Sequence, residues 1–158
     1  MQRWVTMTMT MVAGLSSLVL GCQTGPVEIS TGMLAGQIGG VDWTIGTGET
    51  TPALSGGPDS FFAVAYAETF TPCSGESSAA VGDRLILTIP KTPGDYALGT
   101  DLKETLVVQS TQVNYLAKQG RMVIDQVTAT TVRGGTHFQS DAANQVDGQF
   151  EIAICPSL

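Results

Sequence analysis

The feature that most constrains this chain is a rhythm of short extended runs broken by turn formers. In "RLILTIP", Arg84 to Pro90, the side chains of Leu85, Leu87 and Ile89 share one face and Pro90 stops the run. "SFFAVAYAE" sets Phe62, Val64 and Tyr66 on one face against Phe61, Ala63, Ala65 and Ala67 on the other, so both faces are read as covered. In "QVDGQFEIAIC", Phe150, Ile152 and Ile154 alternate with Glu151, Ala153 and Cys155. "MLAGQIGGVDWTIG" holds two short runs around Gly39-Gly40, a pair suited to the positive backbone angles of a tight hairpin. "PGDYAL" reads as a turn and a short extended piece, and "ETLVVQS", "QVNYLAK" and "RMVIDQVTATTV" follow, with Gln119-Gly120 as a turn between the last two. No stretch after Cys22 keeps helical periodicity over three turns. The spacing predicts an all-β fold: an antiparallel β-sandwich or barrel-like domain of about eight or nine short strands. Long loops are expected at Thr47–Asp59, Thr69–Ala80 and Gly134–Asn144, the last containing the lone His137.

The amino-terminal segment follows different rules. Arg3 precedes an uncharged, mostly apolar stretch from Val5 to Leu20. Its sixteen positions are short for a membrane-spanning helix and suit the apolar region of a signal peptide. The stretch ends Val19-Leu20-Gly21-Cys22, which resembles the lipobox of bacterial lipoproteins: an aliphatic residue, a variable one, a small one, then Cys. The resemblance implies cleavage between Gly21 and Cys22 and attachment of lipid to the Cys22 thiol. A plain secreted chain with Cys22 paired elsewhere and an uncleaved anchor helix are the alternatives. Two or three acyl chains would hold almost permanently, since each buried methylene contributes about 0.8 kcal/mol. The organisation expected is a signal peptide over residues 1–21, a lipidated Cys and tether over 22–31, and a β domain over 32–158. Gln23, where an Asp favours inner-membrane retention, points to an outer membrane if the host has two.

After residue 21 the chain keeps six basic and fourteen acidic side chains. No Lys/Arg cluster is available to neutralise phosphate, which argues against nucleic acid and against gripping anionic lipid through the surface. Two cysteines remain, Cys73 and Cys155. An even count in an exported chain reads as a disulfide, here closing a loop of 82 residues; a reactive or metal-binding thiol pair is the alternative. With one His in the chain, four-ligand zinc of the usual type is not available.

No reaction is named by these residues. His137 has no nucleophile elbow to serve, because "GESSA" at Gly75–Ala79 lacks the second glycine. Asp141–Glu151 holds oxygen donors, but not at the spacing of a calcium loop, and reads as a polar turn entering the last strand. Trp43 is expected in the core. The expectation is therefore no catalytic residues, metal or cofactor. The order of Gly40 with Trp43, Gly94 with Tyr96 and Leu98, and Gly148 with Phe150 resembles a group of small bacterial lipoproteins of uncharacterised function. That resemblance implies a β-sandwich and a non-enzymatic binding or structural role at a membrane, with a protein or glycan of the envelope as partner. The runner-up is an envelope hydrolase or carbohydrate-active module working through Asp/Glu carboxylates.

Overall fold

A computed structural model describes residues 27–52, 57–99 and 102–156. Gly21 and Cys22 lie outside the described residues. Eleven strands follow in order: β1 (Ala35–Ile38), β2 (Val41–Thr44), β3 (Thr47–Thr50), β4 (Ser60–Tyr66), β5 (Arg84–Pro90), β6 (Gly94–Ala97), β7 (Glu104–Val108), β8 (Val113–Leu116), β9 (Gln119–Val127), β10 (Thr131–Asp141) and β11 (Asn144–Ala153). A single 3-10 turn, Glu76–Ala79, is the only helical element among the described residues. The chain is all-β, as its pattern predicts.

One continuous sheet runs β6-β9-β10-β11-β3-β4-β5-β7-β8. It curls into a half-barrel, so the barrel-like reading describes it better than two stacked sheets. Strand pairing is antiparallel except where Ala153 of β11 meets Glu49 of β3 in parallel, and Met33 adds an isolated parallel bridge to Gln149. The inner face gathers Ala63, Ala65, Leu85, Leu87, Leu106, Met122, Ile124, Val132, Phe138 and Ile152 into one core. Register enforces this: Ala63 lies opposite Leu87, and Leu85 opposite Leu106, so residues of one parity on three strands point the same way.

The β1–β2 hairpin leaves the path, pairing β1 to the start of β11. Its turn is Gly39-Gly40, with φ of 64° and 77°, as the glycine pair predicts. Asn144 Oδ1 accepts the Gly39 N–H at 2.8 Å and the Ala143 carbonyl accepts the Gly40 N–H at 2.8 Å, seating this turn on the β10–β11 turn. Trp43 is buried, and its indole N–H donates to the Asp83 carbonyl at 2.9 Å. A Cβ on Gly40 would meet nothing closer than Ala143 Cβ at 3.8 Å. Gly40→Ala therefore tests backbone conformation alone, and we expect it to cost about 1 kcal/mol, with Gly40→Asn costing less, by denaturant unfolding.

Several boundaries differ from the sequence reading. Gly134–Asn144 is not a loop: most of it is β10, and its glycines sit where chains approach closely. A Cβ on Gly134 would strike the Val123 carbonyl and Ile124, beside a register shift between Arg133 and Gly134. Gln119-Gly120 opens β9 instead of forming a turn. "RMVIDQVTATTV" divides at Thr128, whose N–H and side chain both bond the Thr131 carbonyl. Thr47–Thr50, read as the beginning of a loop, is the buried strand β3. Thr69–Ala80 is a loop, as expected. The described part of the 22–31 segment lies along the sheet: the Val27 carbonyl accepts from Arg121 Nη1 at 2.9 Å and the Ser30 N–H donates to Asp147 Oδ1 at 3.0 Å.

Candidate functional site

β3 carries Thr47, Glu49 and Thr50, polar residues that are all buried. Thr47 and Glu49 are in register with Tyr66 and Val64 of β4, on the outer face of the sheet. The loop from Thr69 to Ala80 crosses that face. A loop laid over a sheet brings unpaired backbone amides with it, and each needs an acceptor. β3 supplies them. Thr47 Oγ1 accepts the Phe70 N–H at 3.0 Å, and Glu49 Oε2 accepts the Cys73 N–H at 2.6 Å. Thr50 Oγ1 accepts the Cys155 N–H at 2.8 Å, from the segment just past β11. At the loop's far end Glu68 Oε1 takes the N–H groups of Val81 and Gly82 at 3.1 and 2.7 Å. An apolar β3 would leave the Phe70, Cys73 and Cys155 N–H groups unanswered, which is why a polar stretch forms a buried strand here.

Cys73 and Cys155 are joined by a disulfide, with Cα atoms 5.4 Å apart. The bridge ties the covering loop to the end of the last strand. Cys73 holds a left-handed φ of 63°, uncommon for a residue with a side chain. Beside the bridge lies a cavity of about 550 Å³, lined by Glu49, Thr50, Tyr66, Ser77, Cys73 and Cys155, with Pro52 and Pro156 at its margins. Tyr66 is buried and packs edge-on against Phe70, ring centres 5.3 Å apart. Burial and then the Glu49 carboxylate push its phenol above the usual tyrosine range, opposed by a hydrogen bond with Ser77. The wall thus joins an aromatic ring, small hydroxyls and one buried carboxylate, a combination suited to a small polar ligand or a polar side chain.

A larger groove of about 970 Å³ lies between β6 and the ends of β4 and β5, lined by Phe62, Thr88, Pro90, Tyr96 and Lys103, among others. Of its acids, Asp95 is engaged: Arg121 Nε and Nη2 donate to its two oxygens at 2.8 Å each, and those bonds hold its carboxyl below the usual range. The disulfide cavity is chemically the richer of the two, because its titratable and sulfur-bearing groups converge.

The other residues singled out from sequence are dispersed. His137 lies in β10, with Nδ1 3.8 Å from Asp147 Oδ1, and is not among the residues lining the disulfide cavity. Ser77 and Ser78 line the disulfide cavity. Asp141 Oδ1 accepts from the Ala143 N–H and Asn144 Nδ2 at 2.9 Å each, so this carboxylate shapes the β10–β11 turn. Glu49 was invisible as a site residue because its neighbourhood reads as loop; the one available signal was a carboxylate flanked by three threonines. No protein-family model, curated protein or solved structure matches the chain.

Proposed function

We propose that this chain is a lipid-anchored lipoprotein of the bacterial cell envelope, similar to the small uncharacterised lipoproteins its pattern resembles. In this reading the half-barrel works by binding a protein or glycan of the envelope. The observation that carries it is Val19-Leu20-Gly21-Cys22 at the end of an uncharged stretch, the residue order that lipidation chemistry requires. Two further features support it. A disulfide suits a chain folded in an oxidising compartment. The cavity beside it offers a mixed aromatic and hydroxyl wall on a rigid sheet.

Expression in a bacterial host fed labelled palmitate tests the anchor. The wild-type chain is expected to take up label and sediment with membranes; Cys22→Ser is expected to lose the label entirely and leave the membrane fraction. Unlabelled wild-type protein with an unmodified residue 22 would overturn the proposal. The binding role is tested by a thermal-shift screen against cell-wall glycans, where a ligand present at a hundredfold its Kd adds about 2.7 kcal/mol of stability. Hydrolysis through paired carboxylates calls for two acids facing one cleft. Among the described residues, Glu49 is the single acid lining the disulfide cavity, while the larger groove is lined by two, Asp59 and the Arg121-bound Asp95.

A further inference from the structure

We propose that reduction of the Cys73–Cys155 bridge converts this corner of the fold into a divalent-metal site, in which two thiolates and the Glu49 carboxylate hold a thiophilic ion such as zinc. The ligand atoms are already gathered: the two Sγ atoms and a Glu49 carboxylate oxygen all lie within 4.8 Å of one another. Tetrahedral zinc takes thiolate sulfur at about 2.3 Å and carboxylate oxygen at about 2.0–2.2 Å. The two sulfurs, bonded to each other in the oxidised form, would part on reduction and turn with the Glu49 carboxylate toward one shared ion.

The scaffold favours this. Glu49 is fixed on β3 by pairing with Val64 on one side and Ala153 on the other. Cys155 follows Ala153 by two residues and is held by its N–H bond to Thr50. Glu49 therefore stands on β3, Cys155 lies just past the end of the neighbouring β11, and Cys73 comes from the covering loop. The carboxylate is buried, and the hydrogen bond to one of its oxygens comes from the Cys73 N–H, which orients it toward the sulfurs. In the oxidised form the Cys73 N–H donates the hydrogen bond this carboxylate receives; with both thiolates a dication would bring the set to a net charge of −1. Thiolates select zinc or copper(I) over magnesium and calcium. The three ligand residues line the same cavity as Tyr66, Ser77 and Thr50, so a fourth ligand, water or an incoming molecule, would come from there.

The chemistry balances with a dithiol reductant. The dithiol delivers two electrons and two protons, becoming a disulfide itself, and the protons pass to the Cys73 and Cys155 sulfurs. Metal binding then releases both protons as the thiolates coordinate. The oxidised form has no thiolates to offer and does not bind, so the site is gated by redox state.

Cobalt(II) added to the full chain after dithiol reduction and removal of the reductant tests the proposal. One equivalent is expected to give the near-ultraviolet sulfur-to-cobalt charge-transfer band, displaced by zinc, with both cysteines then protected from alkylation. The oxidised protein is expected to show no band. Glu49→Gln, which keeps the Cys73 N–H acceptor, is expected to weaken affinity at least about tenfold. No band in reduced protein that keeps its native circular dichroism would overturn the proposal. So would affinity unchanged in Glu49→Gln, a band in the oxidised protein, or reduced protein that unfolds and is not restored by the metal.

Discussion

Replacing Cys73 and Cys155 together by serine is expected to lower stability by up to about 4.5 kcal/mol, the loop-closure entropy of a cross-link spanning 82 residues. For a domain of this size that is a fall in Tm of roughly 15–20 °C. The size of the effect follows from what the bridge joins. One end is a loop held to β3 mainly by single hydrogen bonds, and the other is the end of the strand on which β10, β1 and β3 all pair. Without the link the unfolded chain regains a large loop, while the folded sheet keeps every pairing. Thermal and denaturant unfolding of the double variant beside the oxidised wild type measures it. A loss below about 1 kcal/mol would mean that the unfolded chain is already restrained between these positions.

The second large effect is expected at Glu104. It opens β7 opposite Leu87, sharing the inward parity of Leu106, so its carboxyl lies inside the half-barrel at 2% exposure. Neither oxygen has a hydrogen-bond partner among the described residues. The Thr88 N–H beside it is committed to the Lys103 carbonyl at 3.2 Å. Desolvation dominates and pushes this carboxyl well above the usual range, only weakly opposed by Thr88. The folded chain therefore keeps a proton that the unfolded chain releases above its own pKa of about 4.3. The group's contribution is fully present below that pH and is lost, at about 1.4 kcal/mol per pH unit, as pH rises toward the folded value. Asp95, shifted down by Arg121, acts below about 3.9 and leaves this window untouched. Glu104→Gln is expected to flatten the stability profile above pH 5, and Glu104→Met to raise stability at pH 8 by about 2–3 kcal/mol. Urea unfolding at a series of pH values decides it; a wild-type profile parallel to that of Glu104→Gln would show the carboxyl to be solvated.

The elements legible in the sequence are those where one periodicity settles the matter. β5 and β11 alternate so plainly that their inward faces could be named, and the glycine pair fixed the β1–β2 turn. β3 was hidden because its buried side chains answer loop amides and not a hydrophobic core; a tertiary demand overrode the local signal. β10 was hidden because Gly134 and Gly135, which mark loops in most contexts, here let neighbouring strands come close. The disulfide was legible from the even cysteine count and the export expected of the amino-terminal segment, yet the acid beside it was not. Glu104 left a trace: it shares parity with Leu106, an apolar position, and a charge at such a position is the pattern of an inward-facing polar group.

The manner in which the Thr69–Ala80 segment is held has a dynamic consequence. Its anchors on β3 are the acceptors Thr47 and Glu49, and little of its own side-chain surface enters the core. Such a segment opens by breaking a few bonds, at a smaller free energy than unfolding the barrel. Amide protons of Phe70 and Cys73 should then exchange with solvent well before those of Leu87 or Ile152, while the sulfur link limits how far the segment can travel. The floor beneath it, Tyr66 and Glu49, is thus the part of the molecule that can be uncovered and re-covered while the rest stays folded.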